Sequence, residues 1–233
     1  MRTTFIQLSF ERIGKKLTAV QLEQLDVYAT LLMEESKFHN LTAILDFEGI
    51  VIKHFIDCAL GLNYVPQGAK VCDIGSGAGF PGLVWAILRE DILVTSIETT
   101  TKKIIFQKKV AQVCEIQNIH FINKRVEDLK EYREYFDVGT ARAVASLNIL
   151  LELIMPLVKV GGIFIALKGQ NAQEELFNST KALDNLNGRV QKNDTLQLIG
   201  EEKSIRTILV IEKMQKTSPQ YPREYAKIKK QPL

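Results

Sequence analysis

Four glycines, Gly75, Gly77, Gly79 and Gly82, fall within eight residues of an otherwise apolar stretch at positions 70–88, KVCDIGSGAGFPGLVWAIL. Val71-Cys72-Asp73-Ile74 before them reads as a short buried strand. Residues 83–88 after them are apolar over enough length to begin a helix. Strand, glycine turn and helix form the opening unit of an α/β sheet that takes a nucleotide-type cofactor at its first turn. Glycine has no Cβ, so the turn can adopt positive φ and a ligand can approach its amides. Pro81 suits the first helical turn, where its missing N–H costs no hydrogen bond.

A glycine turn alone can be a plain connector, so the next strand matters. Residues 92–97, ILVTSI, are apolar and end in Glu98. That acid lies about 20 residues beyond the loop, where a carboxylate accepts hydrogen bonds from ribose hydroxyls. Gly77-x-Gly79-x-x-Gly82 also fits the spacing of a dinucleotide site. Asp73 separates the two cases. A carboxylate beside the loop repels a pyrophosphate but suits a ligand with an ammonium and a sulfonium, so S-adenosylmethionine is the expected cofactor.

The remaining chain supplies the rest of such a sheet. Residues 119–122, 136–141 and 163–167 read as further strands, the last an unbroken apolar run suited to a sheet covered on both faces. Helices are expected over 99–114, with Ile104, Ile105, Val110 and Val113 facing inward, over 147–158, and over 172–186. Val160-Gly161-Gly162 reads as a turn. Residues 188–198 and 205–212 follow with only a loop containing Gly200 between them, which implies an antiparallel pair at one sheet edge. The expected fold is a class I Rossmann-like α/β methyltransferase: a mostly parallel seven-stranded sheet, helices on both faces, and an antiparallel edge pair.

Ahead of the sheet, Thr18-x-x-Gln21 is a capping box that opens an amphipathic helix. A second helix is expected over 46–62, with Val51, Phe55, Cys58 and Leu62 on one face. Residues 1–66 thus form an N-terminal helical extension, 67–216 the cofactor-binding domain, and 217–233 a basic, proline-rich, extended tail.

Composition narrows the setting. The chain has 233 residues with 46% hydrophobic and 24% charged content, enough for one α/β domain with an extension. A net charge of +3 is too small to establish a nucleic-acid partner by itself. Cys58, Cys72 and Cys114 are scattered and odd in number, consistent with a reduced, cytoplasmic compartment. His39, His54 and His120 have no partner at metal-ligand spacing, so no metal is expected. No segment has the length and apolarity of a membrane span.

Several polar side chains stand out. His54 and Asp57 are three apart on one helix face and within bonding reach of each other. Thr99-Thr100-Thr101 offers helix caps. Lys102, Lys103, Lys108 and Lys109 line one helix face, which is either solvated or set against an RNA backbone. The turn after the third strand, with Val126 and Glu127 or Asp128, is placed to meet an adenine ring and its edge. Asp128 is also a cap candidate for a following turn. Arg142, at the end of the fourth strand, and Lys168, at the end of the fifth, face the crevice where ligands bind in such sheets.

Several of these segments resemble one family. Asp73-Ile74-Gly75-Ser76-Gly77-Ala78-Gly79-Phe80-Pro81-Gly82, Ala141-Arg142-Ala143-Val144-Ala145 and Ala166-Leu167-Lys168-Gly169 are similar to RsmG, also called GidB. So are His39-Asn40-Leu41-Thr42, Lys53-His54-Phe55-Ile56-Asp57 and the tail from Tyr221-Pro222-Arg223 to Lys230-Gln231-Pro232-Leu233. The resemblance covers nearly the whole chain, and the Phe80-Pro81-Gly82 ending of the loop is its most specific part. It implies a bacterial enzyme that methylates N7 of one guanine in 16S ribosomal RNA, using S-adenosylmethionine. It implies cofactor roles for Gly75, Phe80, Val126, Glu127 and Arg142, and for Glu98 with Thr99 and Thr100. Asp73, Gly77 and Gly79 join them from the loop argument. The chain departs from the family pattern at Glu98, where aspartate is more usual, at His39 in place of tyrosine, and at Cys58 in place of serine.

Guanine N7 carries a lone pair and no proton, so its methylation needs no general base. Arg142 and Lys168 are the expected catalytic side chains, holding the guanine O6 or a phosphate. The expected partner is 16S rRNA within the small subunit or an assembly intermediate, met by a monomer. The alternative is a methyltransferase of the same fold acting on another RNA or a small molecule. Asp73 and the final strand pair argue against a dinucleotide-dependent oxidoreductase.

Overall fold

The computed structural model describes residues 1–198 and 204–233; the expected loop at Gly200 lies outside them. Seven strands form one sheet: β1 (Lys70–Ile74), β2 (Leu93–Ile97), β3 (Ile119–Ile122), β4 (Phe136–Arg142), β5 (Val158–Lys168), β6 (Gly188–Gln197) and β7 (Ile205–Lys213). Their order is β3-β2-β1-β4-β5-β7-β6. The first five run parallel, and β7 pairs antiparallel with both β5 and β6. β7 therefore inserts between β5 and β6, so the edge pair is completed out of chain order. The order reverses direction between β1 and β4, which opens the crevice at their carboxyl ends.

Two apolar cores flank the sheet. One joins the Gly82–Leu88 and Thr101–Val113 helices to the N-terminal helices, through Tyr28, Phe55, Trp85 and Phe106. The other joins the Leu147–Ile154 helix to the chain end, through Leu150, Phe164 and Ile228. Residues 1–66 thus share a core with the sheet, because their apolar faces have no other surface to cover. Thr18 caps the Ala19–Glu35 helix: its hydroxyl accepts from Gln21 N–H at 3.2 Å, while the Gln21 side chain accepts from Thr18 N–H at 3.0 Å.

Several local expectations need correction. An additional helix, Arg2–Glu11, precedes the capping box; it lacks the clean amphipathic period that marks a helix in sequence, and buries Ile6 and Phe10. The helix expected over 46–62 is present, but Val51–Ile56 within it is a π-helical turn. The helix expected to reach 158 ends at Ile154, and β5 already begins at Val158. Gly161-Gly162 is not a turn but part of an irregularity in β5: Phe136 pairs with Val158 and Val138 with Ile163, so extra residues bulge out of register. The helix expected over 172–186 breaks into Ala172–Phe177 and Thr180–Asn185. Ile105 and Val113 face outward, and Phe106, Gln107 and Ala111 are buried instead. Thr100 is the N-cap of that helix without a side-chain cap bond. Asp128 lies within the 3-10 turn Val126–Asp128, and the N-cap of the following turn, Lys130–Tyr132, is Leu129 with no side-chain cap bond. The tail is not merely extended: it forms a short helix, Tyr225–Lys230, with Ile228 fully buried.

Candidate active site

The glycine turn leaves β1 at Gly75, whose φ of +65° is strained for any residue with a Cβ. A Cβ there would also meet Val144 Cγ2 at 2.7 Å. The turn is locked from below by a buried polar triad. Gln107 Nε2 donates to Ser76 Oγ and to Gly77 O, each at 2.8 Å, and Ser96 Oγ bonds both Gln107 Oε1 and Ser76 Oγ at 2.6 Å. Gln107 is fully buried. Sequence reasoning missed it because glutamine amid lysines looks like a solvent-facing residue.

Glu98 follows β2 and reaches back to the turn. Its carboxylate accepts from Gly77 N–H at 3.0 Å and from Thr100 N–H at 2.8 Å. Asn123 fixes the same corner by donating to Glu98 O at 2.8 Å. Two ordered oxygens, each with an anchoring amide, retain further lone pairs for a diol.

Asp73 is fully buried. Its Oδ2 accepts from Gly82 N–H at 2.8 Å, an approach only glycine allows, since a Cβ on Gly82 would lie 2.7 Å from that oxygen. Its Oδ1 has no partner among the described residues. Burial raises its pKa to about 7; the Gly82 amide and Arg142 oppose the shift, and Glu98 adds to it. A buried carboxylate with an unpaired oxygen fits a cationic ligand, because a nearby positive charge restores its ionised form.

A cavity of about 380 Å³ opens at these strand ends. Gly75, Glu98, Thr99, Thr100, Val126 and Glu127 line it, six of the expected cofactor residues. Lys103, Lys124, Arg125, Ala143, Val144 and Tyr225 line it too and were not foreseen. Lys103 carried a sequence signal as part of the basic run, and Ala143 and Val144 as part of the segment after Arg142. The rest of the basic run is mostly solvated, with Lys109 paired to Glu35 at 2.7 Å. Asp73, Gly77, Gly79, Phe80, Arg142 and Lys168 do not line this cavity.

Arg142 sits beside it in a polar cluster with the N-terminal helices. It donates to Asp57 Oδ2 at 2.9 Å, Lys53 O at 3.0 Å and His54 Nδ1 at 3.0 Å, and lies over the Phe80 ring at 4.8 Å. His54 and Asp57 therefore do not pair with each other; both converge on Arg142. Arginine always donates, so His54 Nδ1 is the acceptor and Nε2 carries the proton toward Thr42 Oγ1, at 2.7 Å. Burial, then the Arg142 charge, pulls the His54 pKa down to about 3 and keeps the ring neutral. Phe80 stacks with His54 at 4.5 Å and with Tyr28 at 5.6 Å. Two of the five guanidinium N–H groups, Nε–H and one on Nη2, have no acceptor among the described residues. His39 lies at the helix end, 3.9 Å from Glu35.

Lys168 is buried and holds the loop after β4. Its ammonium donates to Ala145 O at 2.8 Å and to Glu175 at 2.7 Å, and the same Glu175 oxygen accepts from Leu147 N–H at 2.7 Å. Burial lowers its pKa, against the pull of Glu175. Among the described residues, no cluster of three or more His, Cys, Asp or Glu is placed to hold a metal, and no helix is long and apolar enough to cross a membrane. The three cysteines are free and buried.

The β3-β2-β1-β4-β5-β7-β6 order, the glycine turn after β1 and the acid after β2 together define a Rossmann-like methyltransferase fold. In fold the chain is similar to a SAM-dependent methyltransferase from Aquifex aeolicus, with a TM-score of 0.55 and 13% identity over 70% of this chain and 93% of that one. The family model GidB, described as rRNA small subunit methyltransferase G, matches residues 21–204. Ribosomal RNA small subunit methyltransferase G of Bacillus cereus is 41% identical over 232 residues, 97% of each chain. Its namesake from Desulfitobacterium hafniense is 39% identical over 230 residues, 97% of this chain and 95% of the relative. The chain belongs to the GidB family.

Proposed function

We propose that this protein transfers the methyl group of S-adenosylmethionine to N7 of a guanine in 16S rRNA. The observation that carries the reading is the meeting of the Gly75 turn and the Glu98 carboxylate at the β1/β4 switch point, with Arg142 at the adjoining strand end. The family's description supports ribosomal RNA as the substrate class. The particle is the small subunit or an assembly intermediate, met by a monomer in the cytoplasm. In this reading residues 1–66 are the helical extension, 67–216 the catalytic domain and 217–233 the tail.

Glu98 with Thr99 and Thr100 holds the ribose, Val126 and Glu127 the adenine, and Asp73 with Gly75, Gly77, Gly79 and Phe80 the amino-acid end. When bound, the cofactor supplies an electrophilic methyl on a sulfonium. Guanine N7 has a lone pair and no proton, so the chain positions the reactants instead of removing a proton. Proximity and alignment are large effects, worth roughly 7–11 kcal/mol in well-oriented reactions. Neutral His54, buried against Arg142, serves to orient that arginine. Arg142 offers its two remaining donors to cofactor or guanine. Lys168 acts one step away, by fixing the Ala143–Ala145 backbone that borders the cavity.

The test is methyl transfer from labelled S-adenosylmethionine to small subunits from a strain lacking this protein, followed by mapping of the modified base. Label at one guanine N7 of 16S rRNA is expected. No incorporation into rRNA overturns the proposal.

A further inference from the structure

The chain end is built into the cavity. Tyr225 lines it, and the Tyr225 N–H donates to Glu127 Oε1 at 3.2 Å. Two residues earlier, Arg223 is fixed to Glu152, a carboxylate with 0% exposure, through N, Nε and Nη2 at 3.0, 2.7 and 2.5 Å. A carboxylate buried so fully needs such a partner, so the docking position of the tail is specified. Beyond Tyr225, Ile228 is fully buried, and Asn148 Nδ2 donates to Leu233 O at 3.4 Å. The segment therefore crosses the Leu147–Ile154 helix and meets the cavity where Val126 and Glu127 border it.

We infer that Tyr225 is a cofactor-contacting residue, and that the docked segment 219–233 is a wall of the cofactor cavity. The inference rests on the methyltransferase reading above and assigns a further binding residue to it. The aromatic side chain is half-buried and packs on the core that includes Val126. A purine entering the cavity would meet apolar surface from both residues, and its contact with Tyr225 exists only while the tail is docked. Cofactor binding and tail docking are then thermodynamically linked: each strengthens the other by the same factor.

The experiment uses the full chain and S-adenosylhomocysteine as probe. Calorimetry on Tyr225→Ala is expected to show affinity about tenfold weaker than wild type, and Tyr225→Phe within twofold of it, with thermal unfolding reporting whether each variant is folded. Equal affinity of folded Tyr225→Ala and wild type overturns the inference. A second readout needs no variant. Lys227, Lys229 and Lys230 are exposed on the docked segment, and limited trypsin cleavage there should slow with probe occupancy in wild type. Cleavage indifferent to saturating probe overturns the inference even if Tyr225→Ala does not fold. Wild type that binds no probe at all removes the methyltransferase reading itself, a result distinct from either.

Discussion

Arg142 at the end of β4 and Asp57 in the N-terminal extension form an ion pair at 2.9 Å, and the other Asp57 oxygen accepts from Arg206 of β7 at 2.7 Å. One carboxylate thus ties two strands of the sheet to the extension. Asp57→Ala would leave two arginines without their shared carboxylate, one of them largely buried. Breaking one side of a buried pair costs about 3–5 kcal/mol. Urea denaturation should show a loss of that order; a variant as stable as wild type would mean solvent already screens the cluster.

Asp73 makes stability depend on pH. Its folded pKa, about 7, lies above the ordinary value of 3.8. The folded state therefore binds its proton more tightly than the unfolded chain does. The stabilising contribution is fully present below about pH 4 and is lost as pH rises through 7. At 1.36 kcal/mol per unit the loss is on the order of 4 kcal/mol. Asp73→Asn should flatten the stability profile between pH 4 and 8 and weaken S-adenosylmethionine binding. A profile unchanged from wild type would refute the assignment.

Gln107→Leu keeps side-chain volume roughly constant and removes the polar lock under the glycine turn. Ser76, Ser96 and Gly77 O lose partners in a buried site. Each unsatisfied buried group costs about 1–3 kcal/mol. Reduced denaturation midpoint and weaker cofactor binding are both expected. Intact binding in a destabilised protein would show that the turn holds its shape without the triad.

Gly75→Ala introduces a side chain at a φ of +65° and against Val144. A left-handed non-glycine residue costs of order 1–3 kcal/mol before any clash. Cofactor affinity should drop, since Gly75 and Val144 both line the cavity. Calorimetry with S-adenosylhomocysteine measures it.

Glu98→Gln preserves shape but replaces one acceptor oxygen by a donor facing Gly77 N–H or Thr100 N–H. Hydrogen bonds to charged groups contribute about 1.5–3 kcal/mol, so affinity should fall roughly 10- to 100-fold. Unchanged affinity would place the ribose elsewhere.

The readable parts of this protein are local. Strand, glycine turn, helix and a strand-end acid all fall within residues 70–98, and backbone preferences over so short a span are set by the residues themselves. The Thr18–Gln21 cap is legible for the same reason. Apolar runs and turn residues marked every strand but β5 to within about a residue at each end. β5 begins earlier than its apolar run because its first residues bulge rather than turn.

The chain by itself therefore determined a glycine-turn α/β sheet with acids on two neighbouring strand ends. Tertiary structure decided who meets those acids and who surrounds the cavity. Arg142 finds Asp57 from 85 positions away, Gln107 finds Ser76 from 31, and Tyr225 finds Glu127 from 98. Such pairings have no local signature. Their polar groups gain a fixed partner only once both cores have closed and removed the water that would otherwise solvate them.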